Sequence, residues 1–219
     1  MTRPLLFIHT WQPDHENGAN DMCRGTYLYT WGSFLEHRFV FDNSRKFEDL
    51  LDDEIRAEAN SGMWNTSYKT KQAIEWAYKE GYTHVCYAPT DCYFIVPRLL
   101  RNLAWHIEAG HDYWGFHTYD EKHIGGGSAY WLSRRGMESV MAYDAYADYE
   151  DRWVGSACAA LGLTAVHDER YRSIEQPYMP SAITMHLSQS TGNYDPELMK
   201  NLHLRVIQGA THQTVESNL

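Results

Sequence analysis

The chain lacks the marks of several protein classes. Cysteine is sparse: Cys23, Cys86, Cys92 and Cys158 are the only four, and no two of them form a C-x-x-C. A zinc cage built on paired cysteines is therefore not expected. Cys86 and Cys92, if they share a strand, lie roughly 20 Å apart, far beyond disulfide reach. Long apolar runs are missing too. The first, Leu5-Leu6-Phe7-Ile8, ends at His9, too soon for a signal peptide or membrane anchor, so the sequence predicts a cytoplasmic protein. Positive charge is in deficit, with 19 Lys and Arg against 29 Asp and Glu and a net charge of -10. That balance argues against a protein that grips nucleic acid through a basic stripe. Local pairs remain as candidate phosphate contacts: Arg98 with Arg101, Arg134 with Arg135, Arg170 with Arg172. With no internal repeat, low-complexity stretch or Pro/Ser linker, 219 residues read as one domain with a tail.

What the chain does have is a soluble-core composition, 43% hydrophobic, and many aromatics, including 16 Tyr and 8 Trp. Such rings build cores and also line sugar and base pockets. Strands are expected at Leu5–His9, Arg38–Asp42, His84–Ala88, Asp112–Phe116, Ala129–Ser133, Thr164–His167 and Ile183–His186. Helices are expected at Met22–Trp31, Phe47–Ala59, Tyr68–Lys79, Pro97–Glu108, Gly136–Ala147 and Trp153–Leu161. Pro13 to Ala19 reads as a loop, and the polar chain from Gln189 onward as a loosely packed tail, helical around Pro196 to Leu204. Alternating strands and helices give βαβ units and a mostly parallel sheet. Ligands bind such sheets at the carboxyl ends of the strands, which is where Asp91 falls, just beyond the strand ending at Ala88.

The most informative stretch pairs Gly125-Gly126-Gly127-Ser128-Ala129-Tyr130-Trp131-Leu132-Ser133 with Tyr149-Glu150-Asp151-Arg152-Trp153-Val154-Gly155. A glycine-rich turn runs into an apolar segment, and an acidic pair then opens a small-residue helix. This places a carboxylate at a helix N-terminus, where backbone N–H groups and the dipole attract negative charge. That environment suits a general base. A plain N-cap is the other reading of Asp151.

On these residues the chain resembles the fringe and β-1,3-galactosyltransferase family of glycosyltransferases, from about Leu5 to His186. Met22-Cys23-Arg24-Gly25-Thr26-Tyr27-Leu28-Tyr29-Thr30-Trp31-Gly32 resembles the family's opening helix. Trp64-Asn65-Thr66-Ser67-Tyr68-Lys69-Thr70-Lys71 is similar to its D-x-Y-x-N-L-T-x-K-T segment. Thr90-Asp91-Cys92-Tyr93-Phe94-Ile95-Val96 falls where the family has D-D-D-V-F-V, and Glu150 to Gly155 matches E-D-V-x-x-G.

The resemblance implies a GT-A, Rossmann-like α/β fold: a single domain over residues 1–188, with a mixed, mostly parallel sheet flanked by helices. Residues 1–115 would form the nucleotide-sugar half and 116–188 the acceptor half, followed by a tail over 189–219. It implies inverting transfer from a nucleotide sugar, usually a UDP-sugar. Asp151 would be the base, and Glu150 the alternative or its orienting neighbour. Donor contacts would come from Thr10, Arg24, Trp31, Lys69, Asp91, Gly126 and Gly127. Acceptor contacts would come from Trp114, His117, Tyr119 and Arg152. Asp91 and His186 would hold a divalent manganese or magnesium. The chain departs from the family at Thr90 and Cys92, which replace the outer acids of the triplet. A thiol is a poor ligand for Mg²⁺ or Mn²⁺, which leaves metal use open. Two acceptors compete: hydroxymethylcytosine in phage DNA, favoured by small size and no anchor, and a cell-surface glycan precursor, favoured by the negative charge. A reading from another class is a non-catalytic nucleotide-sugar-binding module.

Overall fold

The computed structural model describes residues 2–60, 65–118, 120–145, 149–173, 179–188 and 195–216. A central sheet runs β3-β2-β1-β4-β7-β6-β8. Its strands are β1 (Pro4–His9), β2 (Glu36–Phe41), β3 (Glu54–Arg56), β4 (His84–Pro89), β6 (Tyr113–Gly115), β7 (Tyr130–Ser133) and β8 (Ala165–His167). A smaller sheet, β5-β10-β9, joins β5 (Cys92–Phe94), β9 (Tyr171–Ser173) and β10 (Thr184–His186). In the large sheet β7 is antiparallel to both β4 and β6, and the other pairings are parallel. Reversing twice restores direction, so β1, β2, β4, β6 and β8 all end at one edge, where β7 begins.

Both faces of the sheet are covered, so its central strands read as continuous apolar runs. Alternation then sorts the side chains by face. Leu6, Ile8, Cys86, Ala88, Trp114 and Trp131 enter one core. Leu5, Phe7, Val85, Tyr87, Tyr113, Tyr130 and Leu132 enter the other. The first face is covered by α2 (Ala19–Cys23), a π-helical turn at Arg24–Leu28, α3 (Tyr29–Trp31), α5 (Val96–Glu108) and α8 (Pro196–Glu216). The second is covered by α4 (Thr66–Lys79), α6 (Arg134–Ala142) and α7 (Glu150–Ala160). A short α1 (Gln12–Glu16) precedes α2, in the segment read as a loop. No helix of the described residues is long and apolar enough to cross a membrane.

The helix expected at Phe47–Ala59 does not form. Its acidic, amphipathic spacing yields to strand pairing: after a short turn at Phe47–Asp49, β3 lies parallel to β2. Buried Glu54 accepts from Arg24 and Arg45, so an acid that looks solvent-facing in sequence is an internal anchor. The helix expected around Pro196 to Leu204 is longer and better packed than the sequence indicated. Met199 and His203 are buried, and the His203 ring nitrogens pair with Thr30 Oγ1 at 2.9 Å and Tyr93 Oη at 3.0 Å. All four cysteines are free and buried.

One polar network stiffens the far side of the first face. Asp168 accepts from Asn102 Nδ2 at 2.7 Å, His106 Nε2 at 3.1 Å and the Arg170 guanidinium at 2.6 Å. Burial alone would raise this carboxyl, but the hydrogen bonds from His106 and Arg170 outweigh it and hold it well below the usual carboxylate range. Replacing Asp168 by Ala strands these donors and should destabilise the protein by roughly 2–4 kcal/mol. Urea unfolding measures this, and a change under about 0.5 kcal/mol, typical of an ordinary surface site, would show that the network carries no stability.

Candidate active site

Functional groups gather where the parallel strands end. Beyond β1, Thr10 Oγ1 donates to Asn20 Oδ1 at 2.7 Å, and the Thr10 carbonyl accepts from Lys69 Nζ at 2.7 Å. Lys69 lies in the second turn of α4. Burial pushes its ammonium down to about 8, against the pull of Asp42, Asp14 and Glu150. Beyond β2, buried Asp42 accepts from the Ser44 amide at 3.0 Å. Beyond β4, Thr90 Oγ1 donates to Asp14 Oδ2 at 2.7 Å. Asp91 Oδ2 faces His186 Nε2 at 3.2 Å and accepts from Ser188, while its buried Oδ1 has no partner among the described residues.

The glycine-rich turn forms the floor. A Cβ on Gly126 would lie 2.8 Å from Glu150 Oε2, and one on Gly127 would lie 2.9 Å from the His186 ring. At Gly126 the space for a side chain is taken by a walled-in carboxyl, whereas at Gly127 it is taken only by the His186 ring. Ala129, which closes the turn, sits at φ 74, a strained conformation for a residue with a side chain. Glu150 and Asp151 open α7, whose N-cap is Tyr149, so Asp151 is in the first turn rather than the cap. Asp151 Oδ1 accepts from the Arg152 amide at 2.8 Å, and its Oδ2 lies 3.4 Å from the Gly126 amide nitrogen. Glu150 is buried and accepts from the Tyr130 hydroxyl. Burial and the neighbouring Asp151 charge push its carboxyl up to about 8.

Of the residues expected from sequence, Thr10, Lys69, Asp91, Gly126, Gly127, Glu150, Asp151 and His186 come together here. Arg152 is exposed beside them, its guanidinium 5.3 Å from the centre of the Tyr149 ring. His117 stands at the same edge beyond β6, its amide donating to His167 Nδ1 at 3.1 Å. Three residues are engaged elsewhere, and of these Trp114 has its expected role corrected. Trp114 is fully buried, stacked between His106 and Trp131, so it cannot meet an acceptor. Arg24 is tied to Asp53 and Glu54, with its guanidinium over Phe39, so those acids take the charge a donor would need. Trp31 packs against His203 under α8. Tyr119 and Trp64 lie outside the described residues. His9, Asp14, Asn20 and Asp42 were missed. Asp42 follows a strand end just as Asp91 does and was legible on that ground; Asp14 and Asn20 carried no local signal. Both ring nitrogens of His9 are buried without a partner among the described residues, and the ring packs 4.3 Å from Tyr87.

No group of three or more His, Cys, Asp or Glu among the described residues could hold a metal. Cys92 is fully buried in the core and supplies no ligand. Asp91, with its orphaned oxygen, and His186 still form a two-ligand set. Two ligands leave most of an ion's coordination to a substrate phosphate and water, and the imidazole nitrogen is a softer donor than the oxygens Mg²⁺ takes.

The mixed seven-stranded sheet, flanked by helices in a single domain, has the GT-A fold. No family model matches the chain, and no curated protein sequence does. Among solved structures, the chain is similar to a glycosyltransferase involved in the glycosylation of the major capsid of PBCV-1. The likeness covers 91% of this chain and 99% of that one, with a TM-score of 0.61 at 12% identity. It is also similar to a Drosophila β1,4-galactosyltransferase 7 mutant, solved with manganese, UDP-Gal and xylobiose. That likeness covers 87% of this chain and 73% of that one, with a TM-score of 0.50 at 8% identity. At such identities the likeness is one of fold.

The two floor glycines should respond differently to a methyl group. Gly126→Ala meets a carboxylate held between tyrosines and should cost about 1–3 kcal/mol. Gly127→Ala meets only the His186 ring, which can swing into the cleft, and should cost less than about 1 kcal/mol. Urea midpoints of the two variants test this, and equal losses would contradict the floor as described.

Proposed function

We propose that this chain is an inverting glycosyltransferase that moves a sugar from a nucleotide sugar, with UDP as the leading candidate, to an acceptor hydroxyl. The observation that carries this reading is the convergence of Asp151, the bare Gly126–Gly127 backbone and the Asp91–His186 pair at the carboxyl edge of a GT-A sheet. Asp151 takes the proton from the acceptor hydroxyl. The acceptor oxygen then bonds to the anomeric carbon as the bond to the diphosphate oxygen breaks on the opposite face, inverting the configuration. The N-terminus of α7 and the Gly126 amide beside Asp151 favour its ionised form, which is the form that accepts this proton. Asp91 and His186 would hold a divalent ion, which when bound supplies charge to offset that of the leaving diphosphate. The first half of the chain, to about residue 115, would bind the donor, and the second half the acceptor, in the manner of fringe-like enzymes.

For the acceptor we favour a glycan or glycoprotein over DNA. Asp120 and Glu121 are exposed in the segment between β6 and the glycine-rich turn, and acidic side chains there repel a phosphate backbone. The similarity to a capsid-glycosylating enzyme points the same way.

Nucleoside diphosphate release from a panel of nucleotide sugars, with Mn²⁺ or with EDTA, tests the reading. The parent should turn over at least one donor. Asp151→Asn should lower turnover about 10²- to 10⁴-fold while donor affinity changes by less than about threefold. Tight nucleotide binding without release from any donor would instead identify a non-catalytic binding module. Stimulation by hydroxymethylcytosine DNA, and not by glycans, would overturn the acceptor assignment.

A further inference from the structure

Glu150 and Asp151 are adjacent acids with opposite surroundings. The groups that face Glu150 come from every element packed around it. They are the Tyr130 hydroxyl from β7, stacked Tyr87 from β4, Lys69 from α4, Asp151 from its own helix and the backbone of Gly126. Tyr113 from β6 lies behind Tyr130. Lys69 is the cation in this set, and its ammonium is bound to the Thr10 carbonyl and shared with Asp14 and Asp42. Two ionised carboxylates in adjacent positions, one of them walled in by tyrosine rings, are left with one shared cation.

We propose that Glu150 is a positioning residue that works as a neutral carboxylic acid, so that the pair carries one negative charge and that charge sits on Asp151. The proposal rests on the reading of Asp151 as the base. Neutral Glu150 packs against Gly126 and keeps the floor clear for an anionic donor. Once Glu150 loses its proton, a second charge appears behind the floor and repels the diphosphate.

The folded protein binds this proton more tightly than the unfolded chain, because the carboxyl is raised from 4.5 to about 8. The stability it brings is therefore complete below about pH 4.5 and is lost as pH rises toward about 8. Glu150→Gln, which keeps the shape and removes the titration, has no such slope. Its melting temperature should gain on the parent's by at least about 5 °C between about pH 5 and pH 8.5. In the parent, donor KM should rise at least about tenfold between about pH 7 and pH 9. In Glu150→Gln the rise should shrink by at least about threefold, the remainder belonging to Lys69, whose ammonium is also pushed down to about 8, with kcat lowered by less than about tenfold, well short of the loss expected for Asp151→Asn. Tyr130→Phe removes a hydrogen bond that favours the ionised form and should move the KM inflection to higher pH. A melting difference that ignores pH would overturn the proposal. So would a kcat loss in Glu150→Gln as deep as that of Asp151→Asn, which would make Glu150 the base. If the parent turns over no nucleotide sugar, the functional reading fails, and the melting series alone still decides whether Glu150 keeps its proton.

Discussion

The site depends on one buried ammonium. Lys69 reaches from α4 to the carbonyl that ends β1 and faces acids beyond β2, in α1 and at the start of α7. An amine buried this far loses its hydration, which is why its proton is held less tightly than usual. The position survives because Asp42 and Asp14 face the charge from two elements, with the Glu150 carboxyl beside them. Each of these belongs to a different element, so the charge also fixes how α1, α4, α7 and the strand ends meet. A residue that sequence comparison would assign to the donor works first as the internal anchor of the cleft.

The second constraint is the reversal of β7. Running against β4 and β6, it delivers its start, and the glycine turn before it, to the edge where the parallel strands finish. Its pairing also sorts the aromatic residues. Tyr87 and Tyr130 are cross-strand partners, stacked 4.9 Å apart, and they point toward α7, where they wall in Glu150. The next residue in register, Trp131, points the other way and stacks on its own partner Trp114. Strict alternation therefore gives the tyrosines to the site and the tryptophans to the core.

This sorting explains what the sequence could and could not reveal. Features carried by local pattern were legible: the apolar strands, the helical period of α4 and α5, and the acid beyond β4. Features that depend on a distant partner were not. β3 looks helical until β2 and Arg24 are beside it, and Arg24 looks free until Asp53 and Glu54 arrive. Asp14 gains meaning only through Thr90. Glu150 and Asp151 are equivalent as letters. Adjacent residues on a helix point about 100° apart, and that turn sends one acid into the tyrosine wall and leaves the other beside the floor.

An anionic donor entering this cleft would meet five carboxyl groups, which looks like the wrong sign for the task. The structure disposes of most of that charge internally. Asp14 is buried enough for its carboxyl to be raised, though the Thr90 hydrogen bond opposes this. Asp42 shares Lys69 and accepts from Ser44. Asp91 is turned toward His186 and Ser188. Glu150 is shielded behind Gly126. What remains at the floor is the Gly126 amide and the first turn of α7, with Asp151 between them. On the proposed reading, a base and an anion site share this small space only if the remaining acids are neutralised or turned away. Gly126 makes this possible, because a side chain there would run into Glu150 and Asp151.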